Sequence, residues 1–175
     1  MNKPLLPVNR RTFLRRSSTI VGGTAVAARF PAILRGAADT KTLKVALSGC
    51  GGRGSGAASQ ALKADAGAQL VYMADAFKDH LDTSLNNLRA TFKDQPDKVK
   101  VTPETSFVGL DSIDKVLASD ADVVILTTPP GFRPEYFEKT VKAGKHAFVE
   151  KPIAVDAPGY RRLCIGKTGN DKCFT

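Results

Sequence analysis

A glycine-rich segment near the start of the sequence has the residue types and spacing to bind phosphate groups. It fits G-x-G-x-x-G, follows a short apolar run and precedes a helix-compatible stretch; its residues are Gly49, Cys50, Gly51, Gly52, Arg53 and Gly54. Gly49 allows a tight turn, Gly51 lets the backbone approach a pyrophosphate, and Gly54 lets helix and strand pack closely. The free N–H groups that open the helix would then bind the phosphates. The alternative is a glycine-rich turn without a ligand.

An acidic residue, Asp75, follows this loop at the spacing a dinucleotide site requires. It ends a second apolar run, 21 residues after Gly54, where a carboxylate accepts hydrogen bonds from the adenosine ribose. A 2′-phosphate would meet that carboxylate, so NAD is expected rather than NADP, although Arg53 and Lys78 are near enough in sequence to offset the effect. The alternative is that Asp75 only caps the next helix. Cys50 is interpreted as a small packing residue.

The elements that would position these residues alternate between strand and helix. Short apolar runs predict strands at 44–47, 69–74, 99–101, 123–126 and 146–149, and the segments between and after them predict helices at 55–64, 77–92, 111–118, 134–143 and 156–163. Asp111 and Asp156 are expected to cap two of these helices, and Gly144 to end a third. This alternation predicts an α/β fold of the Rossmann-like, doubly wound type, with a parallel sheet covered on both faces.

Two segments between Asp122 and Asp156 carry a more specific signal. They read D-V-V-I-L-T-T-P-P-G-F-R-P and A-G-K-H-A-F-V-E-K-P-I-A-V-D. With the glycine loop, they resemble the nucleotide-binding domain of the glucose–fructose oxidoreductase, inositol dehydrogenase and MocA (Gfo/Idh/MocA) family, over residues 43–163. The family's C-terminal α+β substrate domain is expected to be absent from this chain.

The resemblance implies roles for two clusters of residues. The turn after the fourth strand would run past the nicotinamide ribose, and the E-K-P motif would end the fifth strand; the residues concerned are Thr127, Thr128, Pro129, Glu150, Lys151 and Pro152. Lys151 is the expected catalytic residue, a cation that points to the substrate hydroxyl and lowers its pKa. The alternative is an ordinary surface lysine. Arg133 stands where many family members have a histidine, and His146 is expected to be structural.

The implied activity is hydride transfer between NAD and the hydroxyl carbon of a sugar or cyclitol. Two alternatives stay open: an NAD-dependent glycosidase of the same family, and a nucleotide-binding fragment without turnover. Residues 164–175 lack a helical period and are predicted to be an aberrant tail, which suggests a truncated or frame-shifted product; a genuine single-domain relative is the alternative. The chain alone is expected to be inactive.

The charge distribution predicts an export signal. The net charge is +9, but residues 1–38 hold seven basic and no acidic residues, and the rest is nearly balanced, so no nucleic-acid partner is expected. The segment N-R-R-T-F-L-R at 9–15 resembles a twin-arginine motif, which implies the twin-arginine translocase as partner and a periplasmic or secreted location. The alternative is a basic arm without an export function.

Two other kinds of feature are not predicted by the sequence. No apolar run is long enough for a stable membrane anchor, and no Cys/His cluster predicts a metal site.

Overall fold

A computed structural model describes residues 42–166, in which strands and helices alternate as the sequence predicts. The strands are β1 (Leu43–Ser48), β2 (Ala68–Asp75), β3 (Ser106–Val108), β4 (Val123–Leu126) and β5 (His146–Val149). The helices are α1 (Gly52–Ala64), α2 (Lys78–Thr91), α3 (Ser112–Leu117), α4 (Arg133–Lys142) and α5 (Ala157–Gly166). The predicted leader, 1–38, and residues 167–175 of the predicted tail lie outside the described residues.

The five strands form one parallel sheet in the order β3-β2-β1-β4-β5. From β1 the chain first moves outward through β2 and β3, then returns to the other side of β1 for β4 and β5. The strand order therefore reverses between β1 and β4, and the loops after these two strands diverge. In open α/β sheets this reversal opens a crevice at the carboxyl ends of the strands, where ligands bind.

The core lies on both faces of the sheet because successive strand residues point to opposite sides. On one face, Val45 and Leu47 of β1 pack with the apolar faces of α1 and α2. On the other, Ala46 of β1 packs with Ile113 and Val116 of α3 and with Tyr136 of α4. The near-continuous apolar strands follow from this double coverage, and the predicted fold class is confirmed.

The prediction of a third strand at 99–101 is wrong. Val99 makes only an isolated bridge to Leu70, and β3 instead pairs with the end of β2, Met73 with Ser106. Val99 and Val101 are buried in the core beside α2, so their apolar character reflects packing and not membership of the sheet. The ladder does not continue past them because a single turn of 3-10 helix follows, opened by Pro103, which has no N–H to donate.

Two helix ends, at Asp156 and Gly144, agree with the prediction, whereas others differ, among them the start of α1 at Gly52 instead of Ser55. Asp156 accepts a hydrogen bond from the N–H of Gly159 (2.7 Å), and Gly144 lies just past α4 with a φ of +69°. Asp111 precedes α3 but makes no capping hydrogen bond through its side chain, and its carboxylate lies 3.4 Å from Lys115 instead. Helix α5 continues to Gly166, past its expected end at Leu163 and into the segment predicted as a tail.

The helices within residues 42–166 are short or polar. None of them is both long and apolar enough to cross a lipid bilayer.

Candidate functional site

A cleft of about 500 Å³ opens at the carboxyl ends of β1, β2 and β4, at the reversal of strand order. Six of the residues predicted to bind the cofactor line it: Gly49, Gly51, Asp75, Thr127, Thr128 and Pro129. Three segments distant in sequence thus meet at one site, since the carboxyl ends of parallel strands share one edge of the sheet.

Two glycines of the loop occupy positions that no side chain would fit. Gly49 has a φ of +95°, and a Cβ there would lie 2.6 Å from the backbone nitrogen of Thr128. A Cβ at Gly54 would lie 1.9 Å from the carbonyl oxygen of Gly49. The turn and the close approach of helix to strand therefore depend on these glycines, as the sequence predicts.

Gly51 differs from these two because its surroundings are open. A Cβ there would meet no atom within 4 Å, and the residue is exposed at the N-terminus of α1. No side chain caps this helix end, and its first turn contains no acidic residue. The N–H groups that open α1 consequently keep their capacity to bind an anion, and the missing Cβ leaves room for it.

Thr127 and Thr128 connect the turn after β4 to the glycine loop. The Thr127 hydroxyl lies 2.7 Å from the carbonyl oxygen of Gly49 and 3.1 Å from that of Ser48. The hydroxyl oxygen of Thr128 is buried at the cleft and has no hydrogen-bond partner in the described part of the protein. A ligand group in the cleft would satisfy this orphaned hydroxyl.

Asp75 lines the cleft and also organises the backbone around it. Its carboxylate accepts hydrogen bonds from the N–H of Cys50 (2.5 Å) and from the N–H of Phe77 (2.9 Å), the residue that precedes α2. It therefore ties the glycine loop to the end of β2 and bonds the start of the next helix. The two predicted roles, ribose acceptor and helix cap, are compatible at one side chain because each oxygen accepts more than one hydrogen bond.

The Cys50 thiol has the properties of a packing group. It is 3% exposed and lies 3.5 Å from the carbonyl oxygen of Ala74. Burial, and secondarily the charge of Asp75, raises the pKa of the thiol well above its ordinary range. The interpretation of Cys50 as a structural residue is thus confirmed.

Arg53 and Lys78, the two cations near Asp75 in the sequence, each pair with a different carboxylate. Arg53 pairs with Glu150, 97 residues away in sequence, at 2.5 Å from guanidinium nitrogen to carboxylate oxygen. Lys78 pairs with Asp82 one turn along α2. The hydrogen bond from Arg53 lowers the pKa of Glu150, although desolvation opposes it, so Glu150 is an ionised carboxylate facing the glycine loop.

The E-K-P motif lies beside the cleft and not in its lining. Glu150 is buried, whereas Lys151 and Pro152 are exposed, as are Gly52 and Arg53 of the glycine loop. The Lys151 ammonium is consequently available to a molecule that approaches the cleft from solvent. Its catalytic role stays a prediction.

Three residues near the site were missed or misinterpreted in the sequence. The sequence predicts Phe77 as the first residue of the second helix, but it precedes α2, is 61% exposed and lines the cleft. His80 also lines the cleft, with its Nδ1 3.7 Å from a carboxylate oxygen of Asp75. Arg133, noted only as standing in place of a histidine, is buried and donates hydrogen bonds to the carbonyls of two loops. No local pattern signals a buried arginine, although the positions of Phe77 and His80 just after a strand end could have indicated the cleft.

Comparison with known protein families identifies the class. A family model described as an oxidoreductase family with an NAD-binding Rossmann fold, named for glucose–fructose oxidoreductase, inositol dehydrogenase and MocA, matches residues 43–165. The chain therefore belongs to the Gfo/Idh/MocA oxidoreductase family and contains its NAD-binding Rossmann domain. The resemblance found in the sequence is confirmed over nearly the same residues. Among curated proteins, none matches this sequence.

Solved structures show the same domain in longer proteins. The scyllo-inositol dehydrogenase of Lactobacillus casei is 27% identical, with a TM-score of 0.57, over 73% of this chain and 33% of that one. Two further structures are less than 25% identical and therefore show a similarity of fold alone. The WlbA dehydrogenase of Bordetella pertussis, in complex with NADH and UDP-GlcNAcA, is 24% identical with a TM-score of 0.55, over 72% of this chain and 32% of that one. A 3-ketoreductase of Actinomadura kijaniata, in complex with TDP-benzene and NADP, is 22% identical with a TM-score of 0.54, over 72% of this chain and 35% of that one. The chain spans about a third of the length of each.

Proposed function

We propose that this domain serves an oxidoreductase that transfers hydride between NAD and the hydroxyl-bearing carbon of a sugar or cyclitol. The observation that carries the proposal is the cleft at the carboxyl ends of β1, β2 and β4, where the glycine loop, Asp75 and the Thr127–Pro129 turn meet. A dinucleotide would lie across the strand ends with its pyrophosphate at the N-terminus of α1.

The residues present fit that cofactor. Gly51 leaves open space beside an uncapped helix N-terminus, which suits a pyrophosphate. Asp75 supplies carboxylate oxygens at the end of β2 for the adenosine ribose, and Thr128, whose buried hydroxyl has no hydrogen-bond partner among the described residues, lines the cleft after β4. When bound, the cofactor would supply a nicotinamide ring that accepts or donates the hydride.

The chain's own contribution to the reaction would come from Lys151. Its ammonium group is exposed beside the cleft, where it can hydrogen-bond a substrate hydroxyl. A cation at that oxygen lowers the pKa of the substrate hydroxyl, which would release its proton to bulk water, so it favours oxidation of the attached carbon. Glu150 next to it, held by Arg53, would keep the motif in place from inside the fold.

We also propose a preference for NAD over NADP. Asp75 is only 9% exposed, so water would screen its carboxylate poorly. The carboxylate would therefore repel the 2′-phosphate of NADP. Arg53 and Lys78, the two nearby cations, are paired with other carboxylates.

The twin-arginine segment at 9–15 supports a further proposal, that the protein is exported through the twin-arginine translocase and acts in the periplasm or outside the cell. This pathway moves folded proteins, which would let the domain acquire its cytoplasmic cofactor before export.

The cofactor proposal is tested by fluorescence titration of NADH with the purified protein, followed by competition with NAD⁺. The expected result is a saturable increase in NADH fluorescence that added NAD⁺ reverses. No increase in NADH fluorescence at any protein concentration would contradict the proposal.

Hydride transfer is tested separately. NADH formation from NAD⁺ is followed by its near-ultraviolet absorbance with a panel of sugars and cyclitols. Because the chain alone is expected to be inactive, the expected result is no NADH formation. Turnover that is lost in Lys151→Ala and kept in the matched control Lys93→Ala, an exposed lysine beyond α2, would show instead that these residues are sufficient for catalysis.

A further inference from the structure

The side chain of Arg133 joins two loops that the sheet brings side by side. Arg133 begins α4 and is only 6% exposed. Its Nε donates to the carbonyl oxygen of Thr128 (2.7 Å), in the turn after β4. One terminal nitrogen donates to the carbonyl oxygens of Glu150 (2.8 Å) and Pro152, in the segment after β5. One guanidinium therefore spans both loops.

Without these hydrogen bonds, the position of Arg133 would be unfavourable for a cation. The N-terminus of a helix carries a partial positive charge that disfavours a basic residue, and burial of a charge costs free energy unless polar partners surround it. Burial lowers the pKa of Arg133, while the charge of Glu150 opposes that shift, and an arginine stays protonated at neutral pH. The three carbonyls and the nearby Glu150 carboxylate are what offset these costs.

The carbonyls that accept hydrogen bonds from Arg133 belong to residues beside Lys151 and in the cleft lining. The carbonyls of Glu150 and Pro152 belong to the residues on either side of Lys151, so the backbone of Lys151 is held between two anchored neighbours. The third acceptor belongs to Thr128, which lines the cleft. Asp75 and the glycine loop, at the other end of the cleft, receive no hydrogen bond from Arg133.

We propose that Arg133 is a positioning residue for the nicotinamide half of the cofactor, since it holds the Thr127–Pro129 turn and the Glu150–Pro152 segment at a fixed separation. This inference rests on the proposed cofactor function. With the adenosine at β2 and the pyrophosphate at α1, the rest of a dinucleotide extends over β4 toward β5, where these loops lie. Arginine suits the task because its planar fork presents several donors in a rigid geometry.

The test compares two ligands that share one half. In the proposed placement, ADP would occupy only the Asp75 and glycine-loop part of the cleft, whereas NAD⁺ would also reach the loops held by Arg133. In Arg133→Met we expect the dissociation constant of NAD⁺ to rise about tenfold and that of ADP to change by less than about twofold. Arg133→Lys should recover part of the NAD⁺ affinity because an ammonium can still bond some of the carbonyls. Arg89→Met is the control; Arg89 also bonds a loop carbonyl, that of Val101, but far from the cleft.

The outcomes separate positioning from a general structural role. Equal weakening of NAD⁺ and ADP, or no change of either in a variant that keeps its melting temperature, would overturn the inference. If Arg133→Met does not fold, the ratio of the NAD⁺ to the ADP dissociation constant is measured in Arg133→Lys instead. A ratio equal to that of the unaltered protein would also overturn the inference. An unaltered protein that binds neither ligand contradicts the proposed cofactor function itself.

Discussion

Asp75 combines two tasks in one carboxylate. It accepts the N–H groups of Cys50 and Phe77, which secures the glycine loop and the start of α2, and it lines the cleft where a ribose would lie. The negative charge needed for NAD selectivity thus comes from a group that also maintains the geometry of the site. A substitution that removes the charge but keeps a hydrogen-bond acceptor separates these tasks.

Asp75→Ser should narrow the preference for NAD over NADP. The serine hydroxyl can still accept the N–H of Phe77, while the repulsion of a 2′-phosphate is lost. We expect the ratio of the NADP⁺ to the NAD⁺ dissociation constant to fall by about tenfold, roughly 1.4 kcal/mol, measured by competition against NADH. Asp79→Ser, an exposed carboxylate in the first turn of α2, is the control. An unaltered protein that prefers NADP⁺ would contradict the assignment.

The pair of Arg53 and Glu150 predicts a pH-dependent contribution to stability. The pKa of Glu150 is lowered in the folded protein, chiefly by Arg53, so the pair stabilises the fold above the ordinary titration range of glutamate, roughly pH 4–5. That contribution is lost as the pH falls through the lowered pKa and the carboxylate becomes protonated. Arg53→Met should therefore reduce the melting temperature at pH 7 and have progressively less effect below pH 4.

The control for this prediction is Arg89→Met, which removes a hydrogen bond to a carbonyl and no ion pair. Its effect on the melting temperature should not vary across the same pH range. An Arg53→Met effect that is equally large at pH 3 and pH 7 would mean that packing, and not the charge of Glu150, accounts for it.

At the scale of elements, the start of α1 assigns different tasks to neighbouring glycines. Gly54 has the carbonyl of Gly49 where a Cβ would be, whereas Gly51 has open space. One glycine is required by the fold, and the other is required only if a ligand approaches. These cases are distinguishable because stability and binding can be measured separately.

Gly54→Ala should destabilise the protein by about 1–3 kcal/mol, because the added methyl overpacks a contact between backbones. Gly51→Val should instead leave the melting temperature within a few degrees of the unaltered value but weaken NAD⁺ at least about tenfold, since the side chain would occupy the approach to the helix N-terminus. Gly56→Ala, on the same helix in open space, is the control and should preserve both properties. Equal NAD⁺ affinity of the Gly51→Val and unaltered proteins would refute the binding assignment.

At the scale of the whole molecule, most of the net positive charge lies in the first 38 residues, outside the nucleotide-binding domain. The export proposal predicts that Arg10→Lys combined with Arg11→Lys retains the protein in the cytoplasm, because a twin-arginine translocase requires the arginine pair and not only its charge. Fractionation of cells that express each form measures the result. Arg16→Lys with Arg29→Lys, two arginines outside the 9–15 segment, is the matched control and should still be exported; normal export of the Arg10/Arg11 variant would contradict the proposal.

Patterns confined to a few neighbouring residues determined much of the fold in advance. The glycine spacing, the apolar runs of β1, β2, β4 and β5, and Gly144 at the end of α4 were all interpretable from the sequence, because backbone conformation and strand burial depend on residue type and local periodicity. The parallel sheet followed from the alternation of these elements. Asp75 was predicted at the cofactor site from its spacing after the glycine loop, and the Thr127–Pro129 turn from the family resemblance; both line the cleft.

Only the tertiary structure decided which partners these residues have. Arg53 and Glu150 are 97 residues apart, and the carbonyls that accept from Arg133 become neighbours only when β4 and β5 pair. The third strand was misplaced because the burial of Val99 and Val101 beside α2 has the same apolar pattern as burial within a sheet. Long-range contacts depend on how elements pack, so the residues that connect the loops of this site could not be assigned from sequence spacing.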